Sequence, residues 1–356
     1  MAHSYTHWTD LVKAAHESAS LLNITAGNSK TFYGCNTTGD PLDMRENSGI
    51  AEYDPAELVI VARSGTTLQE IQETLAKQGQ MLGFEPPFSD QGATLGGAIA
   101  SGLAGSSRAF RGGVRDYILG AKIINGKGEI MQFGGKVMKN VAGFDLFRPM
   151  AGAMGTLGVI LEASLRVIPI PEAETTLVMN EESQQHVIPL ICQLGQTLSG
   201  LSACAWHNKQ LIIRLSGSSM AVKRDQDLLL KHQTVEHSPS IWPQIDNFEH
   251  AFFTDTSERD TVAVIDVPPA TAPIELTGQQ LISWAGARRY YKGVMSIDEI
   301  RAKIKPLNGS VIYLQGPDQA TFFEPLSSPL MALHKRLKQT FDPAGIFNSG
   351  RLYPEL

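Results

Sequence analysis

Glycine gathers at three places in the first half of this 356-residue chain, and these clusters constrain the backbone more than anything else in the sequence. Inside a helix a glycine costs about 0.5–1 kcal/mol against alanine, so several close together answer a local requirement. The first cluster opens where a short strand over residues 22–25 runs into Ala26-Gly27-Asn28-Ser29-Lys30, with Gly34 just beyond. Backbone N–H groups in such a loop, with short hydroxyl and amide side chains, suit an anion; a plain βα turn would read the same way. The second runs from Gly92 to Gly102. Thr94 is placed to cap a helix on which Gly96, Gly97, Ala100 and Gly102 leave one face nearly bare, with Ser101 between them. That face admits a flat ligand or another backbone. The third, Gly152 to Gly158, leads into a long apolar strand and fits either a strained turn beside a ligand or an ordinary loop.

Periodicity supplies the remaining elements. Trp8, Leu11, Val12, Ala15 and Ala19 fall at helical spacing, which predicts an opening amphipathic helix over 8–21. A buried strand is expected over 58–62 and a helix over 67–78, with Gly79 at its end. Residues 117–124 and 129–133 form a hairpin across Asn125-Gly126, and 158–168 a long strand closed by Pro169 and Pro171. Beyond Pro171 glycine becomes sparse. Strands over 201–206, 210–215, 261–267 and 310–314 alternate with helices, which predicts a compact α+β domain. A last helix over 329–340 precedes Phe341-Asp342-Pro343.

Charge and cysteine usage narrow the function. A formal net charge of −6 and a pI near 5.9 exclude a general nucleic-acid binder, because no basic excess meets phosphate. Cys35, Cys192 and Cys204 stand far apart, so no zinc or iron–sulfur motif is present and no metal site is expected. No run of 18 apolar residues occurs, and the start lacks the basic-then-apolar order of a signal peptide. A cytoplasmic, reduced protein is expected. G-x-G-x-x-G is absent, which leaves a Rossmann NAD site without support.

The order of the glycine segments resembles the FAD-binding domain of the vanillyl-alcohol-oxidase family, also called PCMH-type. The matching segments are residues 26–30, 93–97, 115–120, 139–145 and 155–159, then the tail 341–351 with its Asp342-Pro343 and Phe347-Asn348-Ser349-Gly350. The resemblance implies an α+β fold: a PCMH-type FAD-binding domain of two α+β subdomains over 1–172, an α+β cap over 173–328, and a C-terminal segment, 329–356, returning to the first domain. It assigns to FAD Gly27, Asn28, Ser29, Lys30 and Gly34, then Pro86, Thr94, Gly96, Gly97, Ala100, Ser101 and Gly102, then Gly112, Gly155, Gly158 and Val159. The first loop has no histidine and Cys35 reads as a buried small residue, so non-covalent FAD is expected.

Within the family the chain is similar to the small FAD-binding subunits of bacterial glycolate oxidases, on its short length, Gly27-Asn28-Ser29-Lys30 and Glu85-Pro86-Pro87. That likeness implies oxidation of a short 2-hydroxy acid together with a larger FAD subunit and an iron–sulfur subunit, and peripheral association with the inner membrane through those partners. Two rivals stand beside it: a self-sufficient D-2-hydroxy-acid dehydrogenase, and a structural subunit that keeps the fold alone. The histidine-rich cap segment of self-sufficient members is missing, Ala153 and Met154 alter the third glycine segment, and Ser349 replaces a proline. No catalytic base is assigned. Arg108, Arg111, Arg115, Lys136 and Lys139 are candidates for phosphate or an acidic substrate, each with a solvated surface as the alternative, and Arg351 is a candidate to approach the flavin. Trp206-His207 either faces the flavin or simply ends a strand.

Overall fold

The structure, a computed structural model, describes residues 4–135, 147–230, 236–237, 241–318 and 321–356. The expected family segment 139–145, with Lys136 and Lys139, lies outside the described residues. The chain divides into two compact units. One comprises Met1–Leu103, Gly113–Pro169 and Pro325–Leu356; the other comprises Ala104–Gly112 and Ile170–Glu324.

The first unit carries strands β1 (Leu22–Thr25), β2 (Asp40–Asp43), β3 (Ile50–Asp54), β4 (Val59–Arg63), β5 (Gln80–Leu82), β6 (Ile118–Ile124), β7 (Ile130–Gly134) and β8 (Val159–Pro169). β1 and β2 form a small parallel pair, while β3-β4-β8-β6-β7 form an antiparallel sheet in which β5 also pairs with β8. The opening helix runs Thr6–Ser18 and stops where Ala19 turns left-handed at φ 54°. Trp8, Val12 and Ala15 bury against Leu22, Leu42, Ile346 and Phe347, but Leu11 stays 41% exposed despite its apolar spacing. The hairpin forms as expected. Asn125 Oδ1 accepts from the N–H groups of Lys127 and Glu129, both at 3.0 Å, which closes the turn.

Tail and start meet in this unit. The final helix, Ser328–Phe341, ends at Asp342, whose carboxylate accepts from Lys338 Nζ at 2.7 Å and from Phe347 N–H at 2.8 Å. Lys338 also donates to Thr156 O and Phe347 O, so its buried ammonium is fully used. Leu22 then bridges to Phe347 in parallel register.

The second unit is an eight-stranded sheet built from β9 (Ala173–Asn180), β10 (Leu201–His207), β11 (Gln210–Gly217), β12 (Glu236–His237), β13 (Thr261–Asp266), β14 (Gln279–Ser283), β15 (Arg288–Gly293) and β16 (Ser310–Gln315). Its order is β12-β9-β11-β10-β14-β15-β13-β16. Cys204 and Trp206 of β10 join one core cluster and Ala203 and Ala205 another, as period-two alternation requires when both faces are covered. β14 and β15 escape a reading for apolar runs because they are polar in sequence. Tertiary partners absorb the charge: Arg288 pairs bidentately with Asp266, and fully buried Arg289 donates to the carbonyls of Thr271, Ala272 and Gly286.

Residues 104–112 cluster with this second unit, whereas the sequence reading keeps them in the first domain. The reason is a set of directional contacts. Trp284 Nε1 donates to Gly105 O at 2.9 Å, Ser106 Oγ to Asp246 at 2.6 Å, and Arg111 Nη2 to Ser216 Oγ at 2.8 Å.

Candidate functional site

The first unit contains a cavity holding about 990 Å³ of space, its open mouth included. The loop after β1 forms one side of it, the helix Leu95–Ser101 another, and the Met154–Gly155 turn with Asn348 and Arg351 of the tail the rest. Eleven of the sixteen expected cofactor residues line it: Gly27, Asn28, Ser29, Lys30, Thr94, Gly96, Gly97, Ala100, Ser101, Gly155 and Gly158. The structure does not bring the other five there. Gly34 lies under Arg351, and Pro86 accepts a bond from Ser89. Gly102 is the left-handed cap of the helix, Gly112 sits in the second unit, and Val159 is buried in the core beside Ile124 and Leu161.

Electrostatics give the cavity its character. The N–H groups of Gly27, Asn28, Ser29 and Lys30 donate to no group among the described residues. Lys30 is only 9% exposed, yet among the described residues its ammonium meets just the Ser29 hydroxyl at 3.2 Å and the Phe88 ring at 5.4 Å. Burial pushes its pKa down to about 8. A buried cation normally has a counter-charge. Gly27 and Ser29 are half-buried and Asn28 is exposed, so the unused N–H groups of this loop stand open to an incoming acceptor, and beside such a lysine they suit an anion with several oxygens, such as a phosphate ester.

The glycines serve different ends. At Gly27 an added Cβ would stand 2.0 Å from Gly92 O, and at Gly96 2.8 Å from Ser64 Cβ, so both are demanded by protein packing. Gly158 is likewise held against Ile124 O at 2.8 Å. Gly97 differs: its Cβ would meet only the Thr94 hydroxyl at 3.3 Å, which leaves that face open to the cavity. Thr94 caps the helix as expected, accepting from Gly97 N–H at 3.2 Å. Leu95 and Gly96 N–H donate to Thr66 O and Ser64 O, so these helix N-terminal groups are already engaged and the loop carries the unused donors.

Asn348 is a site residue that the sequence reading missed. Its Oδ1 accepts from Ile24 N–H at 2.8 Å and its Nδ2 donates to Met154 O at 2.7 Å, which ties β1 to the third glycine turn. A left-handed φ of 41° suits asparagine, but nothing in the tail's spacing reveals the partners. Ser64, Met44 and Ile160 also line the cavity and carry no sequence signal.

Other candidates fall elsewhere. Arg108 stacks over Trp284, 4.9 Å from the ring centre, Arg111 is bonded to Ser216, and Arg115 is exposed. His207 ends β10, donates from Nδ1 to Gln280 O at 3.1 Å and packs edge-on against His250 and Phe252. Burial lowers its pKa and that of His250, so both rings are neutral at pH 7. No group of three or more metal-ligating side chains occurs among the described residues.

Comparison with known proteins agrees with this geometry. The profile of an FAD binding domain family matches residues 1–134. Glycolate oxidase subunit GlcE of Escherichia coli (strain K12) is 40% identical over 345 residues, 97% of this chain and 96% of that one. Glycolate oxidase subunit GlcD of Bacillus subtilis (strain 168) is 33% identical over 145 residues, 40% of this chain and 30% of its own. Among solved structures, an alkyldihydroxyacetonephosphate synthase shares the fold with a TM-score of 0.66 at 16% identity, over 97% of this chain and 75% of that one. The cofactor is FAD. The protein therefore belongs to the family of the glycolate oxidase subunit GlcE, built on an FAD-binding domain.

Proposed function

We propose that this chain is the small FAD-holding subunit of a multi-subunit glycolate oxidase, which converts glycolate to glyoxylate and passes electrons to companion chains. The observation that carries the reading is the loop Gly27 to Lys30, whose four N–H groups donate to no group and whose buried ammonium meets no carboxylate among the described residues. When bound, FAD supplies the chemistry by accepting hydride from the carbon that bears the hydroxyl group. The loop would hold the pyrophosphate, and Gly97, Ala100 and Ser101 would offer the bare helical face. No histidine or cysteine is among the residues lining the cavity, which supports non-covalent attachment.

Electrons must leave the chain by another route. Three separated cysteines cannot hold an iron–sulfur cluster, so a larger FAD-binding subunit and an iron–sulfur subunit are the partners proposed. Among the described residues no helix is long and apolar enough to cross a membrane. A cytoplasmic location, peripheral on the inner membrane through the partners, completes the proposal. The test of the cofactor is direct. Purified chain should be yellow, acid precipitation should move all flavin into the supernatant, and mass spectrometry should find the pellet unmodified. Flavin that stays with the protein refutes non-covalent binding, and a colourless chain that binds no added FAD refutes the reading.

A further inference from the structure

Beyond the residues that line the receptor, the structure holds a device that shapes it. The guanidinium of Arg351 donates to four carbonyls of one loop: Cys35 O from Nη1 at 2.8 Å, and Tyr33 O, Thr31 O and Lys30 O from Nη2 at 2.7, 3.1 and 3.3 Å. The grip is reciprocal, because Cys35 N–H donates to Arg351 O at 3.0 Å. No carboxylate pairs with Arg351 among the described residues. Gly34 makes the room: its φ is +99°, and an added Cβ would stand 3.2 Å from Arg351 Nε and 3.1 Å from Arg351 O. The arginine is anchored in turn. Its own N–H donates to Asn348 O at 3.0 Å, and Asn348 is bonded to β1 and to the Met154 turn.

We infer that Arg351 is a positioning residue that holds residues 30–35 in the shape presenting Lys30 and the loop donors to the cofactor, and that it is not itself the cofactor's counter-charge. This rests on the reading of the cavity as the FAD site. The physical case is geometric. A planar guanidinium spans several carbonyls from a rigid fork, whereas a lysine ammonium is a point donor on a flexible stem. Arg351→Lys therefore keeps the positive charge and removes the span. Nη2 is committed wholly to carbonyls and Nη1 in part, so the guanidinium is held by the loop even though its side chain lies along the cavity wall.

The experiment uses full-length chain stripped of flavin, in wild-type, Arg351→Lys, Arg351→Ala and Gly34→Ala forms. Three quantities are measured: FAD affinity, the melting temperature without FAD, and tryptic cleavage after Lys30, which reports whether the loop holds its shape. Losing several charge-assisted bonds predicts that Arg351→Lys weakens FAD by roughly ten- to a hundred-fold. Cleavage after Lys30 should appear in the flavin-free protein, and Gly34→Ala should reproduce both effects from the other side of the contact. Millimolar guanidinium should partly restore FAD binding to Arg351→Ala. Normal affinity in Arg351→Lys with loss in Arg351→Ala would make the residue a counter-charge and overturn the inference. So would a lowered melting temperature in the variants with FAD affinity and cleavage unchanged. Wild-type chain that binds no FAD would instead sink the reading of the cavity, a result visible before any variant is compared.

Discussion

Lys30 carries the sharpest expectation at the level of single residues. Its pKa in the flavin-free fold is about 8 against an ordinary 10.5, because burial penalises the charge. The unfolded chain therefore holds more protons between those values, and the flavin-free fold gains stability as pH rises from about 8 towards 10.5. Below 8 the cost of the buried charge is borne in full. An anion recharges the lysine, so FAD affinity should be flat below pH 8 and fall above it, approaching roughly tenfold per pH unit. Calorimetric titration across pH 7–10 checks this. Lys30→Met should bind FAD more weakly and lose the slope; an unchanged slope would exclude Lys30 as its source. Gly97 and Gly96 give a second, paired expectation. Gly97→Val places its side chain on the open face and should damage FAD binding more than folding, while Gly96→Val, pressed on Ser64, should cost about 1–3 kcal/mol of stability or more. Equal melting losses in the two variants would contradict that division. Gly27, Gly96 and Gly97 were all visible in the sequence, but their different reasons were not, because proximity to Gly92, Ser64 or open space is a tertiary property.

Among the elements, the C-terminal helix and tail depend on one buried pair. Asp342 is 1% exposed and serves Lys338, Ile346 and Phe347 at once. Asp342→Ala would leave Lys338 buried without its carboxylate, at a cost of about 3–5 kcal/mol. A urea melt should show that loss, and FAD affinity should drop with it, since the same tail supplies Asn348 and Arg351 to the cavity wall. A variant as stable as wild type would remove the pair from the account. Elements with strong local signals were legible: the Thr94 cap, the Asn125-Gly126 hairpin, β1, β4 and β8. β2, β3, β5, β14 and β15 were not. Each of these strands is short, exposed, polar or charged, and only a neighbouring strand makes it a strand. The opening helix shows both cases, since periodicity found it while the exposure of Leu11 depended on where the β1–β2 pair and the tail came to lie.

For the whole molecule, the expectation is that the chain alone does not sustain glycolate oxidation. The histidine-rich cap segment is missing from its sequence, and His207 and His250 are held by Gln280 O and Phe252 N–H in a packed aromatic group. An anaerobic titration of the FAD-loaded chain with glycolate should leave the flavin band unbleached until the larger flavoprotein and iron–sulfur subunits are added. Rapid stoichiometric bleaching by the chain alone would favour the self-sufficient dehydrogenase. By itself the sequence determined the first glycine loop and the Thr94-capped helix that line the cavity, because glycine, capping threonine and apolar period act over a few neighbouring residues, and the order of its motifs along the chain carried the resemblance that gives the fold class. Tertiary structure decided the rest: that residues 104–112 join the second unit through Trp284, that Asn348 and Arg351 reach segments some 320 residues earlier, and that Lys30 is buried with no carboxylate beside it among the described residues. Such facts depend on which carbonyls, rings and charges from distant parts of the chain arrive within about 3–5 Å, and hydrogen bonds and desolvation act only at that range.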